Sequence, residues 1–302
     1  MRKTYLITGG AGFVGTNLSE RLVRDGHDVI VVDDLSAGKA ERLPWQVRFH
    51  CFDICDTEKL KTVMQGVDVV VHLAALPRVQ FSIEFPFETQ RVNVGGTLSV
   101  LEAARYAGVR RIVYAASSSA YGDQDSMPLR ETLSPQPKSP YGLQKYTGEV
   151  MMKLWHDIHA LETVSLRFFN VYGPHLDPSG AYALVIGRFL KQRKEGLPMT
   201  ITGDGEQTRD FTHVRDTVDA IVRASQSDRV GHGEVMNVGA GRNVSINEIA
   251  RLIGGPIEYV APRLEPKHTL ADNTFIRLTL DWKPSIAIEE GIVELKREFG
   301  LS

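Results

Sequence analysis

The sequence predicts an α/β protein built on a doubly wound parallel sheet, followed by a smaller mixed α/β part at the C-terminal end. Three observations carry this expectation. Short apolar runs alternate with helical patterns through residues 1–170. A glycine-rich turn, Gly9 to Gly15, separates the first run from the first helix. The next run ends in a carboxylate, Asp33, about 20 residues beyond the glycines, the distance expected of a group that holds an adenosine ribose.

The elements follow in order. Thr4-Tyr5-Leu6-Ile7-Thr8 reads as a strand, and Leu18, Leu22 and Val23 mark the helix behind the glycine turn. The spacing Gly9-x-x-Gly12-x-x-Gly15 departs from the usual G-x-G-x-x-G, so context decides its meaning. Glycines let backbone approach a pyrophosphate, the free N–H groups near Phe13 and Val14 face it, and Asp33 accepts from ribose hydroxyls. That carboxylate, with Asp34 beside it, repels a 2′-phosphate, which favours NAD over NADP. Further strands are expected at 47–52, 67–73 and 111–116, with a helix from Asp56 and a long helix over 88–107. Ligands in such sheets sit at the carboxyl ends of the strands. Those ends are Gly9–Gly15, Asp33, Asp53-Ile54, Leu73-Ala74-Ala75 and Ser117-Ser118-Ser119.

Ser139-Pro140-Tyr141 starts a helix that places Tyr141 and Lys145 at i and i+4 on one face. A phenol is a poor base at neutral pH, and a cation beside it lowers its pKa. The pair could then take a proton from a substrate hydroxyl.

Composition narrows the function classes. With 302 residues, 42% hydrophobic and 24% charged, the chain is ordinary globular material. A net charge of −2 without a basic stripe argues against nucleic acid, and no apolar run reaches the ~20 residues of a membrane span. Met1-Arg2-Lys3 leads into a strand pattern and not a signal-peptide core, so a cytoplasmic protein is expected. Cys51 and Cys55 have no second pair, and His156/His159 have no third ligand nearby, so no metal site is expected.

Several ordered motifs are now in view. They are Thr8-Gly9-Gly10-Ala11-Gly12-Phe13-Val14-Gly15, His72-Leu73-Ala74-Ala75, Asn93-Val94-Gly95-Gly96-Thr97, Ala116-Ser117-Ser118-Ser119-Ala120-Tyr121-Gly122, Tyr141-x-x-x-Lys145 and Arg167-Phe168-Phe169-Asn170-Val171-Tyr172-Gly173-Pro174. Together they resemble the extended short-chain dehydrogenase/reductase family, and within it the NAD-dependent nucleotide-sugar epimerases. Arg209-Asp210-Phe211-Thr212-His213-Val214, Asn237-Val238-Gly239 and Ala271-Asp272 continue the likeness. The resemblance implies a Rossmann domain over 1–170 and a nucleotide-sugar domain over 171–302, with a return to the first domain around 211–238. It implies that Tyr141 is the acid/base, that Lys145 holds the nicotinamide ribose, and that Ser117 bonds the reacting hydroxyl, Ser118 and Ser119 being its neighbouring alternatives. It adds Asn93 and Phe168 to the cofactor site.

For the substrate, the resemblance implies Asn170 together with Arg209 and Arg263 on the diphosphate; an arginine fork suits phosphate oxygens. The turn after Arg263 is one residue short of the family pattern. Thr269 occupies the position of a wall that limits the sugar's C2 substituent, so an N-acetyl sugar is expected to fit as well as a plain hexose. Related sugar 4,6-dehydratases carry an Asp-Glu pair where this chain has Ser118-Ser119, so chemistry is expected to stop at C4 oxidation and hydride return. The expected reaction is 4-epimerisation of a UDP-hexose. The open alternatives are a UDP-glucuronate 4-epimerase, a 4-keto-sugar reductase or dehydratase, and a non-catalytic NAD sensor. The resemblance also implies a homodimer through the 88–107 and 141–159 helices, with Leu98, Leu101, Val150 and Leu154 at the contact.

Overall fold

The computed structural model describes residues 2–178, 185–262 and 267–301. Seven parallel strands form the central sheet. They are β1 (Thr4–Thr8), β2 (Asp28–Asp33), β3 (Arg48–Cys51), β4 (Val69–His72), β5 (Arg111–Ser117), β6 (Glu162–Phe168) and an edge strand, His232–Val238. In space the order runs from the edge strand through β6, β5, β4, β1 and β2 to β3. The order reverses between β1 and β4, and a crevice opens there at the strands' carboxyl ends.

The strands are apolar on both sides because helices cover both faces. Side chains alternate, so Tyr5 and Ile7 pack with Leu18 and Leu22 of α1 (Phe13–Arg24) and with Val218 and Ile221 of the helix Val214–Gln226. Leu6 points the other way, toward Leu60 of α2 (Thr57–Val63), Leu101 of α5 (Thr97–Ala107) and Met152 of α6 (Pro140–His159). A third core unites Phe189, Ile201, Ile249 and Ile292 in the C-terminal half.

Two features differ from the sequence expectation. The predicted single helix over 88–107 is a shorter helix, α4 (Pro86–Gln90), that follows α3 (Val79–Glu84) and passes through a π-turn, Arg91–Gly96, into α5. Gly95 and Gly96 remove side chains at that turn, and Gly96 packs so closely on Ile54 that a Cβ would lie 2.5 Å from its side chain. Leu101, expected on an outer helix face, is fully buried against the sheet, whereas Leu98, Val150 and Leu154 are exposed.

Among the described residues, no helix is long and apolar enough to cross a membrane.

Candidate active site

The crevice at the switch point is a cleft of about 590 Å³. Its floor begins at Gly9, whose φ of +69° and position 2.7 Å (as a built Cβ) from the Ala74 nitrogen leave no room for another residue. The end of β1 therefore lies directly against the end of β4. Gly12 caps α1 without a side-chain hydrogen bond, so the helix's first N–H groups, around Phe13, Val14 and Gly15, are left for a ligand at the cleft.

Asp33 closes β2 and is buried, its oxygens accepting from the N–H groups of Ala11 (3.0 Å) and Leu35 (2.9 Å). Burial raises its pKa, and the neighbouring Asp34 adds to that rise, while the two N–H bonds oppose it. Asp34 and the Asp53–Ile54 pair line the same end. Burial also acts on Asp53, but the Cys55 N–H and the Arg91 guanidinium (2.7 Å) outweigh it and hold that carboxyl below its ordinary range.

At the other end, Ser139 caps α6 by accepting from the Gly142 N–H (3.1 Å), and Pro140 sits in the first turn where its missing N–H costs nothing. This start places Tyr141 and Lys145 on the buried face of the helix, one turn apart. The Tyr141 backbone N–H donates to Ser82 Oγ (3.0 Å), which fixes the first turn to α3. Burial pushes the Tyr141 phenol above its ordinary pKa, and a hydrogen bond with Ser117 draws it back. Burial likewise brings Lys145 down to about 7, with Glu149 opposing the fall. Lys145 Nζ donates to the Ala115 carbonyl (2.7 Å) and stands over the Tyr114 ring, 4.9 Å from its centroid. The expected lowering of the phenol by its lysine neighbour is thus opposed by desolvation, which dominates in the protein alone.

Of the residues singled out in the sequence, the cleft brings together Gly9, Gly12, Phe13, Val14, Gly15, Asp33, Asp34, Asp53, Ile54, Leu73, Ala74, Ala75, Ser117, Ser118, Ser119, Tyr141, Lys145, Phe168 and Asn170. Asn170 adopts a left-handed φ of +25° and donates to the Asp210 carbonyl (3.1 Å), tying the cleft to the C-terminal half.

Three expectations are not met in this way. Asn93 does not line the cleft. It is buried behind it, accepting from the Leu76 N–H (2.8 Å) and donating to the Leu76 carbonyl (3.2 Å) and to Gln144 (2.8 Å). Arg209 lies away from the lining, with Nη1 donating to the carbonyls of Thr208 (2.9 Å) and Lys267 (3.4 Å). Thr269 is beside it, its N–H donating to the Thr208 carbonyl (3.1 Å) and its hydroxyl enclosed. Arg263 falls outside the described residues.

The cleft also contains residues the sequence reading missed, chiefly Leu76, Pro77, Arg78 and Val79 after β4 and Leu176 and Asp177 after β6. The rule that ligands sit beyond the strand ends would have reached the first group had it been carried four residues past Ala75.

Fold and cleft define a dinucleotide-binding α/β enzyme, and the glycine cradle, the free helix start and the buried Asp33 all fit such a cofactor. The chain belongs to the NAD dependent epimerase/dehydratase family, whose pattern it matches over residues 5–239. It is 37% identical to a UDP-glucose 4-epimerase of Mycolicibacterium smegmatis, covering 96% of both chains. It is 35% identical to a UDP-glucuronate 4-epimerase of Thermodesulfobacterium geofontis, covering 95% of this chain and 93% of that one. Among solved structures it is similar to the Thermotoga maritima UDP-glucose 4-epimerase with UDP-glucose, with a TM-score of 0.93, 34% identity and 98% of each chain covered.

Proposed function

We propose that the protein interconverts the C4 epimers of a UDP-hexose, UDP-glucose and UDP-galactose first among them, using a retained NAD. The observation that carries this reading is that Ser117, Tyr141 and Lys145 line one dinucleotide cleft, Tyr141 and Lys145 one helical turn apart. The relatives named above support the substrate class.

The residues divide the work. Asp33 takes the adenosine ribose hydroxyls, and the start of α1 takes the pyrophosphate. Lys145 holds the nicotinamide ribose and keeps a positive charge near the phenol. When bound, NAD supplies a reversible hydride acceptor, so net redox over a turnover is zero. Tyr141 accepts the proton from the sugar O4 and returns it, with Ser117 holding that oxygen in line. Ser118 and Ser119 carry no acidic proton for C5 or C6, which separates this site from a dehydratase. Asn170, with Arg263, serves the diphosphate side, whereas Arg209 and Thr269 stand against Thr208 outside the cleft lining, and an N-acetyl sugar is tested beside the plain hexose. Residues 1–170 then act as the cofactor half and 171–302 as the substrate half, with the 211–238 stretch returning to the first.

We further read the protein as a homodimer. Leu98, Val150 and Leu154 are exposed on α5 and α6 together with Tyr106, Leu143 and Ile158, an apolar load that a partner's matching helices would cover.

A UDP-uronate is the second reading, favoured by one observation: a cationic residue, Arg78, is among those lining the cleft, and an arginine suits a sugar carboxylate. Turnover of UDP-glucose, UDP-N-acetylglucosamine and UDP-glucuronate without added cofactor decides between them. Conversion of the first two supports the proposal; conversion of the uronate alone supports the second reading.

A further inference from the structure

The catalytic helix buries a third ionisable group that the reaction above does not use. On α6 the buried face carries Tyr141, Lys145, Gly148, Glu149 and Met152. Tyr141, Lys145 and Glu149 therefore follow one another at intervals of one turn, base, ammonium and carboxylate in a column. Gly148 makes the column possible, because a Cβ there would lie 2.3 Å from the Tyr114 hydroxyl, and it is the Tyr114 ring on which Lys145 rests.

Glu149 is only 3% exposed and bonds Arg167 of β6 through both oxygens, at 2.8 and 2.7 Å. Arg167 is equally buried and lies over the Tyr121 ring, 4.4 Å from its centroid. The groups packed around Lys145 can be taken element by element. From β5 come the Ala115 carbonyl and Tyr114, whose phenol burial keeps protonated. From β4 comes His72, held between the hydroxyls of Thr8 (2.7 Å) and Thr97 (3.0 Å) and kept neutral by burial, which brings it down to about 3. Tyr141 and Glu149 come from α6, and Arg167 reaches the site from β6 only through Glu149.

The charges then sum simply. Lys145 and Arg167 are positive, Glu149 is negative, and His72 and Tyr114 are neutral. One positive charge is left over one turn from Tyr141, where it favours the phenolate that the chemistry needs against the burial that opposes it. Without Glu149, two buried cations would be left with no carboxylate between them, and the lysine, unlike the arginine, can shed its proton.

We propose that Glu149 is a positioning residue for the reaction, its buried carboxylate keeping Lys145 charged one turn from Tyr141. This rests on the assignment of Tyr141 and Lys145 to the chemistry. The competing account is that Glu149 serves only to neutralise Arg167.

The two accounts are separated with cofactor-loaded protein carrying isotope-labelled lysines, in which the Lys145 side chain is titrated by NMR and identified by the signal missing from Lys145→Arg. Glu149→Gln lowers the Lys145 midpoint by about one pH unit, the scale of a neighbouring charge in a buried site. Because that variant leaves Arg167 buried without its partner, a second variant, Glu149→Met with Arg167→Met, removes both charges in apolar form. It lowers the midpoint in the same direction by a smaller amount, and the alkaline limb of sugar turnover falls with it in both variants. A midpoint that stays within a few tenths of a unit of the parent in the paired variant, and in Glu149→Gln where that folds, overturns the proposal. Since the titration needs no substrate, a moved midpoint without any UDP-sugar turnover would count against the proposed reaction and not against the Glu149–Lys145 coupling.

Discussion

Asn93 holds both backbone polar groups of Leu76, accepting its N–H at 2.8 Å and donating to its carbonyl at 3.2 Å. The remaining donor goes to Gln144 of the catalytic helix, whose own amide reaches Thr89 Oγ1 at 3.0 Å. The loop that lines the cleft after β4 is thus registered to α6 through the π-turn. Asn93→Ala leaves a buried N–H and carbonyl without partners, which costs about 1–3 kcal/mol for each group left unsatisfied. The expected outcome is weaker NAD binding with the Tyr141 chemistry retained at saturating cofactor, measured by comparing NAD affinity and kcat with the parent. An unchanged affinity would show that the loop keeps its place without the clamp.

Asp33 sets the choice of dinucleotide. Its two oxygens already accept from Ala11 and Leu35, so the carboxylate is held in one orientation at the cleft. Asp33→Ala removes its charge-assisted bonds to the ribose, each worth about 1.5–3 kcal/mol, and NAD affinity falls by about 10- to 100-fold while discrimination against NADP relaxes. Titration calorimetry of both dinucleotides checks this. Equal affinity of the parent for the two would contradict the assignment.

Asp210 gives a pH signature. It is fully buried, with its oxygens accepting from the N–H groups of Ala240 (2.7 Å), Gly241 (2.9 Å) and Ala271 (3.0 Å). Burial nevertheless dominates and raises it to about 6. A carboxyl whose folded pKa lies above its unfolded value contributes stability that is fully present below about pH 4 and is lost as pH rises through about 6. Asp210→Asn cannot titrate, so its unfolding free energy lacks this component. Measured against the variant, the parent is expected to lose up to about 3 kcal/mol between pH 4 and pH 7, whatever constant offset the amide introduces. Parallel profiles for the two proteins over that range would contradict it.

Sedimentation at micromolar concentration tests the proposed pairing of α5 and α6. A dimer is expected, and charged replacements at two of the exposed positions, Leu154→Glu with Val150→Lys, are expected to give a folded monomer because neither side chain is part of the core. A monomeric parent would dispose of the dimer.

Much of the fold is legible in the sequence because it depends on local signals. Short continuous apolar runs give β1, β2 and β4, and Ser139-Pro140 gives the start of α6. Local signals also place Asp33 and Tyr141, since each is tied to the end or start of an element. The role of Asn93 is different: its motif marks a buried position, but only tertiary contact tells whether the amide meets a ligand or the Leu76 backbone. The same holds for Leu101, whose face is decided by the π-turn that rotates the helix after Gly96. Arg209 and Thr269 rest on likeness, Thr269 across a turn of altered length, and local geometry puts both against Thr208, away from the cleft lining. Lys145 had the right position and an unforeseen environment, because sequence spacing records neighbours and not desolvation.

The central claim is that Tyr141, in a cleft loaded with NAD, moves the O4 proton of a UDP-hexose. The direct measurement is the conversion of UDP-glucose to UDP-galactose by the purified, cofactor-loaded protein with no cofactor added, beside Tyr141→Phe prepared in the same way. The account predicts turnover by the parent without net accumulation of reduced cofactor, and a loss of ~10²- to 10⁴-fold in the variant with its fold and bound NAD intact. Turnover by Tyr141→Phe within a few-fold of the parent, or a parent that needs a continuous supply of cofactor, would contradict it.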